Sequence, residues 1–269
     1  MKDVFLWELK QRRFVLLWWC IGSIILSIAI MALYPSIRDQ ATQFDKVINS
    51  LPPGLRGLKT GATSGTINVG DPLQFLNSQL FYATLPIIWI ILAITRGAGI
   101  LGKEESSRTL ELLLARPLSR SRLLSAKAAA LTSELLIVGL ATGLVIAIVS
   151  PLFQIDVSIA PLLLTTLFAA LFSLSFGWIA FALRAAGSLS RRIAVAAAVI
   201  ISWGGYIISS LSPLTDWLEK PAKLAPFHYF TPLEFLRGHI PYGIVTYLVG
   251  VAVISAAVAT LGFRNRDIE

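Results

Sequence analysis

The sequence predicts an all-α integral membrane protein with six transmembrane helices, an N-terminal interfacial helix and a short cytoplasmic helix between the second and third spans. Three observations carry that prediction. Only 14% of the 269 residues are charged while 55% are apolar or aromatic, whereas ordinary soluble chains carry about 25% charge. The 38 charged residues also avoid six runs entirely: Phe14 to Tyr34, Pro72 to Thr95, Leu135 to Ile155, Val157 to Leu183, Ile193 to Thr215 and Ile240 to Phe263. Each run holds at least 21 residues, and about 20 apolar residues in a helix cross a bilayer core. Spans are therefore expected near 14–34, 75–95, 131–150, 161–183, 193–212 and 242–263, all within a single transmembrane domain covering 1–269.

Residues 1–13 are too short and too charged to span, yet Val4, Phe5, Leu6, Trp7 and Leu9 are apolar. This pattern predicts a helix lying at the membrane interface. The run that follows is too long for a signal-peptide core and no A-x-A site comes after it, so it is expected to stay as the first span. Cys20 lies inside it and is the only cysteine, which excludes an intrachain disulfide and a cysteine-based metal cluster.

With six spans both termini share one side, and basic residues mark that side as cytoplasmic. Sixteen Lys and Arg fall on the side of the termini and seven on the other, while the acids divide eight to seven. The whole net charge of +8 thus belongs to the face that meets anionic lipid, and nucleic acid is not needed to explain it. The expected location is the cell membrane, multi-pass, with both termini cytoplasmic.

The first outer loop opens with Ile37, Ala41, Phe44, Ile48 and Leu51 at spacings of four and three, which predicts a short one-sided helix before Pro52-Pro53-Gly54. Pro151, Asp156 and Pro161 punctuate a tight outer turn between spans three and four. The segment Pro213 to Pro241, rich in Pro and aromatics, is expected to lie on the membrane surface or dip between spans five and six. Gly139 and Gly143, and Ala169, Ser173 and Gly177, recur at four-residue spacing. Such small residues let helices approach closely, either inside one bundle or across a dimer seam.

Gly97-Ala98-Gly99-Ile100-Leu101-Gly102 matches GxGxxG, and Gly97 to Lys103 matches the start of a phosphate-binding loop. Both motifs need a preceding strand in an alternating β/α chain, and here a membrane-length run precedes them; a flexible end to the second helix is expected instead. His228 and His239, eleven residues apart, lack the helical spacing of a metal pair. No H-E-x-x-H, no G-x-S-x-G and no paired intramembrane carboxylate occurs, so neither a catalytic site nor a cofactor site is assigned. Glu134 is the acid nearest an apolar run. A start of the third helix near Ser119 would leave it close to the headgroups, whereas a deeper position would make it a functional candidate.

Residues 102–127 are the most informative stretch. Leu110, Leu113 and Leu114 share one helical face, and Glu104 and Arg108 form an i, i+4 pair on another. Pro117 ends that helix; Ser119 is placed to cap the next, with Leu118 and Leu123 as its hydrophobic staple. Glu104, Glu105 and Glu111 favour docking on a protein over adhesion to an anionic leaflet.

The run Glu104-Glu105-Ser106-Ser107-Arg108-Thr109-Leu110-Glu111-Leu112-Leu113-Leu114-Ala115-Arg116-Pro117-Leu118-Ser119-Arg120 resembles the E-E-x-x-G-T-L-E-L-L-L-x-x-P-x-S-R signature of permease subunits of type-2 ABC exporters. Leu51-Pro52-Pro53, Pro226-Phe227-His228-Tyr229-Phe230-Thr231-Pro232 and the ending Phe263-Arg264-Asn265-Arg266-Asp267 extend the resemblance over nearly the whole chain. Arg108 departs from it, standing where the family usually has Gly. The resemblance implies a permease that pairs with a second permease chain, binds separate ABC ATP-binding subunits and forms the substrate path. It also implies that Glu104, Glu105, Arg108, Thr109, Leu110, Glu111, Leu113, Leu114, Pro117 and Arg120 couple the bundle to the ATPase. A secondary transporter, or a membrane-embedded enzyme independent of ATP, is the alternative reading.

Overall fold

The computed structural model describes residues 2–52, 55–56, 67–99, 120–187 and 190–264. Among these, every regular element is helical. Six helices are long and apolar enough to cross a membrane. The first is α2 (Arg13–Met31), preceded by α1 (Lys2–Gln11) and followed by the short α3 (Tyr34–Asp39) and α4 (Ala41–Ser50). The second span comprises α5 (Pro72–Leu76), a π-turn over Asn77–Phe81 and α6 (Thr84–Gly99). Spans three, four and five are α7 (Arg120–Val149), α8 (Ile159–Ala185) and α9 (Arg191–Leu211). Three single turns, α10 (Glu219–Ala222), α11 (Pro226–Tyr229) and α12 (Pro232–Leu236), lead to the sixth span, α13 (Tyr242–Arg264).

Local chemistry sets the helix limits. Asp71 caps α5 by accepting from the Leu73 amide at 3.1 Å, and Ser190 caps α9 from its hydroxyl. The fourth span stops where Gly187 adopts φ 94°, a left-handed geometry that glycine takes up without penalty just past a helix end. The π-turn in the second span has a local cause. Pro86 has no N–H to donate and its ring crowds the carbonyl four residues back, at Tyr82. The chain loosens there, the Tyr82 amide bonds Asn77 five residues back, and the Thr84 hydroxyl donates to the Gln79 carbonyl at 2.6 Å.

The fourth span is the hub, packing against spans two, three, five and six. Its approach to the second span is very close: a Cβ on Gly97 would lie 2.1 Å from the Gly177 carbonyl oxygen. A Cβ on Gly139 would meet Ala170 at 2.7 Å, and one on Gly143 would meet Thr166 at 2.9 Å. The small residues of spans three and four thus serve contacts inside this bundle, and Ser173 adds a hydrogen bond to the Pro86 carbonyl at 3.2 Å. Gly97 is not the flexible helix end that its glycine-rich surroundings suggest; it lies in α6 at the tightest crossing.

At the end of the bundle away from Arg96, α4 forms as expected, though its stripe is only partly used. Ile48 packs with Ile67 and Val69, against Ile37 and Ala41, while Phe44 stays exposed. Polar clips complete this cap: Asn49 exchanges two hydrogen bonds with the Ile67 backbone at 3.0 Å, and Asp45 accepts from the Val69 amide at 2.8 Å. The segment between spans five and six goes further in than a surface location. Phe227, Phe230, Phe235 and Leu236 are buried in the core. Phe230 stacks on Phe172 at 4.3 Å and Phe235 on Phe168 at 4.6 Å. The repeated Pro residues turn the chain every few residues, and the turns at Pro226–Tyr229 and Pro232–Leu236 deliver Phe227 and Phe235 inward.

Candidate functional site: an ionic cluster between two helix ends

The segment expected to couple, Glu104 to Pro117, lies outside the described residues, as do Leu118 and Ser119; α7 begins at Arg120, next to the cap position expected at Ser119. What the structure places is the pair of helix ends that this segment connects, and an ionic cluster joins them. Arg96 is one turn from the end of α6. Lys127 and Glu134 stand seven residues apart on α7, two turns along one face. Glu8 enters from α1.

The four side chains form an alternating chain of charge. Lys127 Nζ donates to Glu8 Oε1 at 3.0 Å, and the second Glu8 oxygen lies 4.0 Å from Arg96 Nη2. Arg96 then grips Glu134 with two parallel hydrogen bonds, from Nε and Nη2. That fork geometry is specific to guanidinium and carboxylate. Relative exposure is 0% for Lys127, 1% for Glu134 and 4% for both Arg96 and Glu8, so water does not screen these pairs. Formal charge balances within the four. Removing one member of such a buried set leaves an uncompensated ion, which typically costs about 3–5 kcal/mol.

Glu134 is buried in protein and bound by Arg96, rather than solvated. From Glu134 to Val149 the helix rises about 22 Å, which sets the carboxylate near the edge of a core about 30 Å thick. It is also committed to a cation, unlike a free proton carrier. The interfacial N-terminal helix exists but is held by more than the interface, since Glu8 pins it to Lys127 while Leu6 and Trp7 face outward. Glu8 and Lys127 lie outside the charge-free runs, and nothing in their local sequence pairs them. Their apolar neighbours Leu123, Leu124, Ala126, Ala130 and Leu131, all buried, were the signal that α7 is enclosed well before its charge-free run begins.

Arg12, between α1 and α2, adjoins the cluster. Burial lowers its pKa from the ordinary guanidinium value, and the Arg96 charge lowers it further, against the opposing pull of Glu134 and Glu8. Arg191, at the start of α9, also acts on it and lays its guanidinium over Gly99, 3.6 Å from where a Cβ would stand. His228 and His239 are exposed at the far end. Among the described residues no group of three His, Cys, Asp or Glu side chains could hold a metal ion.

The sequence matches the family model for ABC-2 family transporter proteins over residues 3–268. The chain belongs to the ABC-2 transporter family. It is a multi-pass transport permease, the membrane component of a transporter, and its six apolar helices are the family's membrane domain. No curated protein matches the permease individually. The resemblance drawn from residues 104–120 and the match over nearly the full length thus agree on the family.

Proposed function

We propose that this permease is the membrane subunit of an ATP-driven exporter, acting as one domain over residues 1–269, paired with a second permease chain and driven by separate ABC ATP-binding subunits. The cycle is alternating access. ATP binding closes the ATPase pair, the segment around Glu104 to Ala115 moves with it, and the bundle opens to the other side. Both termini are cytoplasmic in a cell membrane.

The observation that carries this reading is the ionic cluster's position. The coupling segment leaves α6 after Gly99 and rejoins the bundle at Arg120, and the Arg96–Glu134 pair ties those same two helices together inside the bundle. Glu8 extends the tie to α1. A displacement of the segment therefore reaches the first three spans together. In the segment itself, Leu110, Leu113 and Leu114 fill a groove on the ATPase, Glu104, Glu105 and Glu111 meet basic groups on its rim, and Thr109 and Arg120 belong to the same coupling stretch. Arg108 balances Glu104, and Pro117 keeps the corner rigid. Glu134 supports this reading over a secondary transporter, because Arg96 neutralises it.

The test is Leu113→Ala combined with Glu111→Lys. Truncating an anchor in a protein interface costs more than about 1 kcal/mol, and a central one about 2 or more. The expected result is weaker co-purification with the ATP-binding subunit and lower export, with insertion unchanged; normal export by an intact complex overturns the coupling role. Reporter fusions test orientation independently: one after Glu269 is expected in the cytoplasm and one near Gly61 outside.

A further inference from the structure

The first span carries a feature that coupling does not use. Between α2 and α6 runs an open groove of about 450 Å³, lined by Val15, Trp18, Trp19, Gly22, Ser23 and Ile88. It faces outward, since Trp18 is 69% exposed. Gly22 gives it width, with nothing within 4 Å of where a Cβ would stand. Arg12, Val15, Trp19 and Gly22 follow one another at spacings of three and four, so Arg12 continues the same side of the helix beyond its first turn.

Charge at that end of the groove is unbalanced. The Arg12 side chain is half-buried and makes no hydrogen bond or ion pair among the described residues. Arg191, exposed beside it over Gly99, makes none either. Arg96 Nη1 is buried without an acceptor. The carboxylates that face Arg12 are Glu8 and Glu134, and they are taken by Lys127 and Arg96. Among the described residues, four cations thus stand against two carboxylates.

We propose that this is a binding site for one anionic phospholipid, its phosphate held by Arg12 and Arg191 and one acyl chain lying along Trp18, Trp19 and Gly22. A free anion has no use for the apolar groove, and a zwitterionic lipid brings a cation to a site that already has two in excess. An anionic phospholipid alone satisfies both parts. The site rests on the six-span architecture and holds whether or not the chain works with an ATPase.

Native mass spectrometry of the full-length permease in detergent, titrated with phosphatidylglycerol or phosphatidylcholine of the same acyl chains, tests it. The expected result is one retained phosphatidylglycerol per chain, in preference to phosphatidylcholine. Arg12→Gln with Arg191→Gln is expected to weaken retention about fivefold per arginine. Gly22→Phe, which fills the groove and leaves both arginines, is expected to weaken it as well, with an unchanged elution volume on size exclusion. Equal retention of the two lipids, or unchanged retention in either variant, overturns the proposal. So does displacement of the lipid by inorganic phosphate alone, which marks an anion site without the groove. Crosslinking between two copies through Gly22→Cys in a Cys20→Ser background also overturns it, because a second chain then covers the groove.

Discussion

The two ends of this bundle are held by different forces. At the Arg96 end, four buried charges link α1, α6 and α7; toward the other end, Phe168, Phe172, Phe227, Phe230 and Phe235 pack spans four to six with their connecting segment. Ring packing is short-ranged and lost by small separations. Ion pairs in a low-dielectric interior act over longer distances and penalise any unpaired intermediate. A bundle built this way has one end held by shape and one end held by charge. The charge-held end is the one from which the chain leaves α6 and returns at Arg120.

The sharpest way to break that contrast is Glu134→Ala. It strands Arg96 in the interior and is expected to cost about 3–5 kcal/mol, read as a lowered thermal midpoint of the detergent-solubilised protein. Arg96→Met together with Glu134→Leu should recover most of that loss, since an apolar replacement of a buried pair is often neutral. If the double variant is no more stable than the single, volume and not charge holds this end.

Next in size is Gly97→Ala. Its methyl group would overlap the Gly177 carbonyl and force α6 from α8, and overpacking of this kind costs about 1–3 kcal/mol. The same shift moves Arg96, so a charge-sensitive contact fails for a steric reason. The loss is read as a lowered thermal midpoint of the detergent-solubilised variant, and an unchanged midpoint would mean that this crossing is not close-packed.

At the aromatic end, Phe172→Leu keeps apolar volume but removes the stack on Phe230. A loss of about 0.5–1.5 kcal/mol is expected beyond the change in buried area, with no dependence on salt. A salt-dependent loss of similar size would mean that the two ends are not mechanically distinct. The smallest effect is expected at Lys223→Ala, whose partner Glu219 is fully exposed; its melting midpoint should match the parent's within error, as solvent already screens that pair.

Much of this architecture was legible because bilayer solvation imposes a simple rule on composition. A segment that crosses must be long and free of charge, and the six runs from Phe14 to Phe263 obey it. The helix at Ala41–Ser50 was similarly local, since the spacing of its apolar residues decides it within a turn or two. Gly139, Gly143 and Gly177 announced close packing by their size, but not which helix each would meet.

Partnership was what tertiary structure alone decided. Glu8, Arg96, Lys127 and Glu134 are spread over 127 positions of the chain, and nothing in their local sequence says that they converge. In isolation each looks like a flank of an apolar run, suited to headgroups. Convergence follows from how α8 draws α6 and α7 onto its small residues and from how α1 folds back on α7. Only that geometry makes it cheaper to bury four ions together than to leave each in the interface. The same holds for Phe227, Phe230 and Phe235: their composition is that of a surface segment, and their burial depends on a gap between spans four, five and six that no single segment encodes.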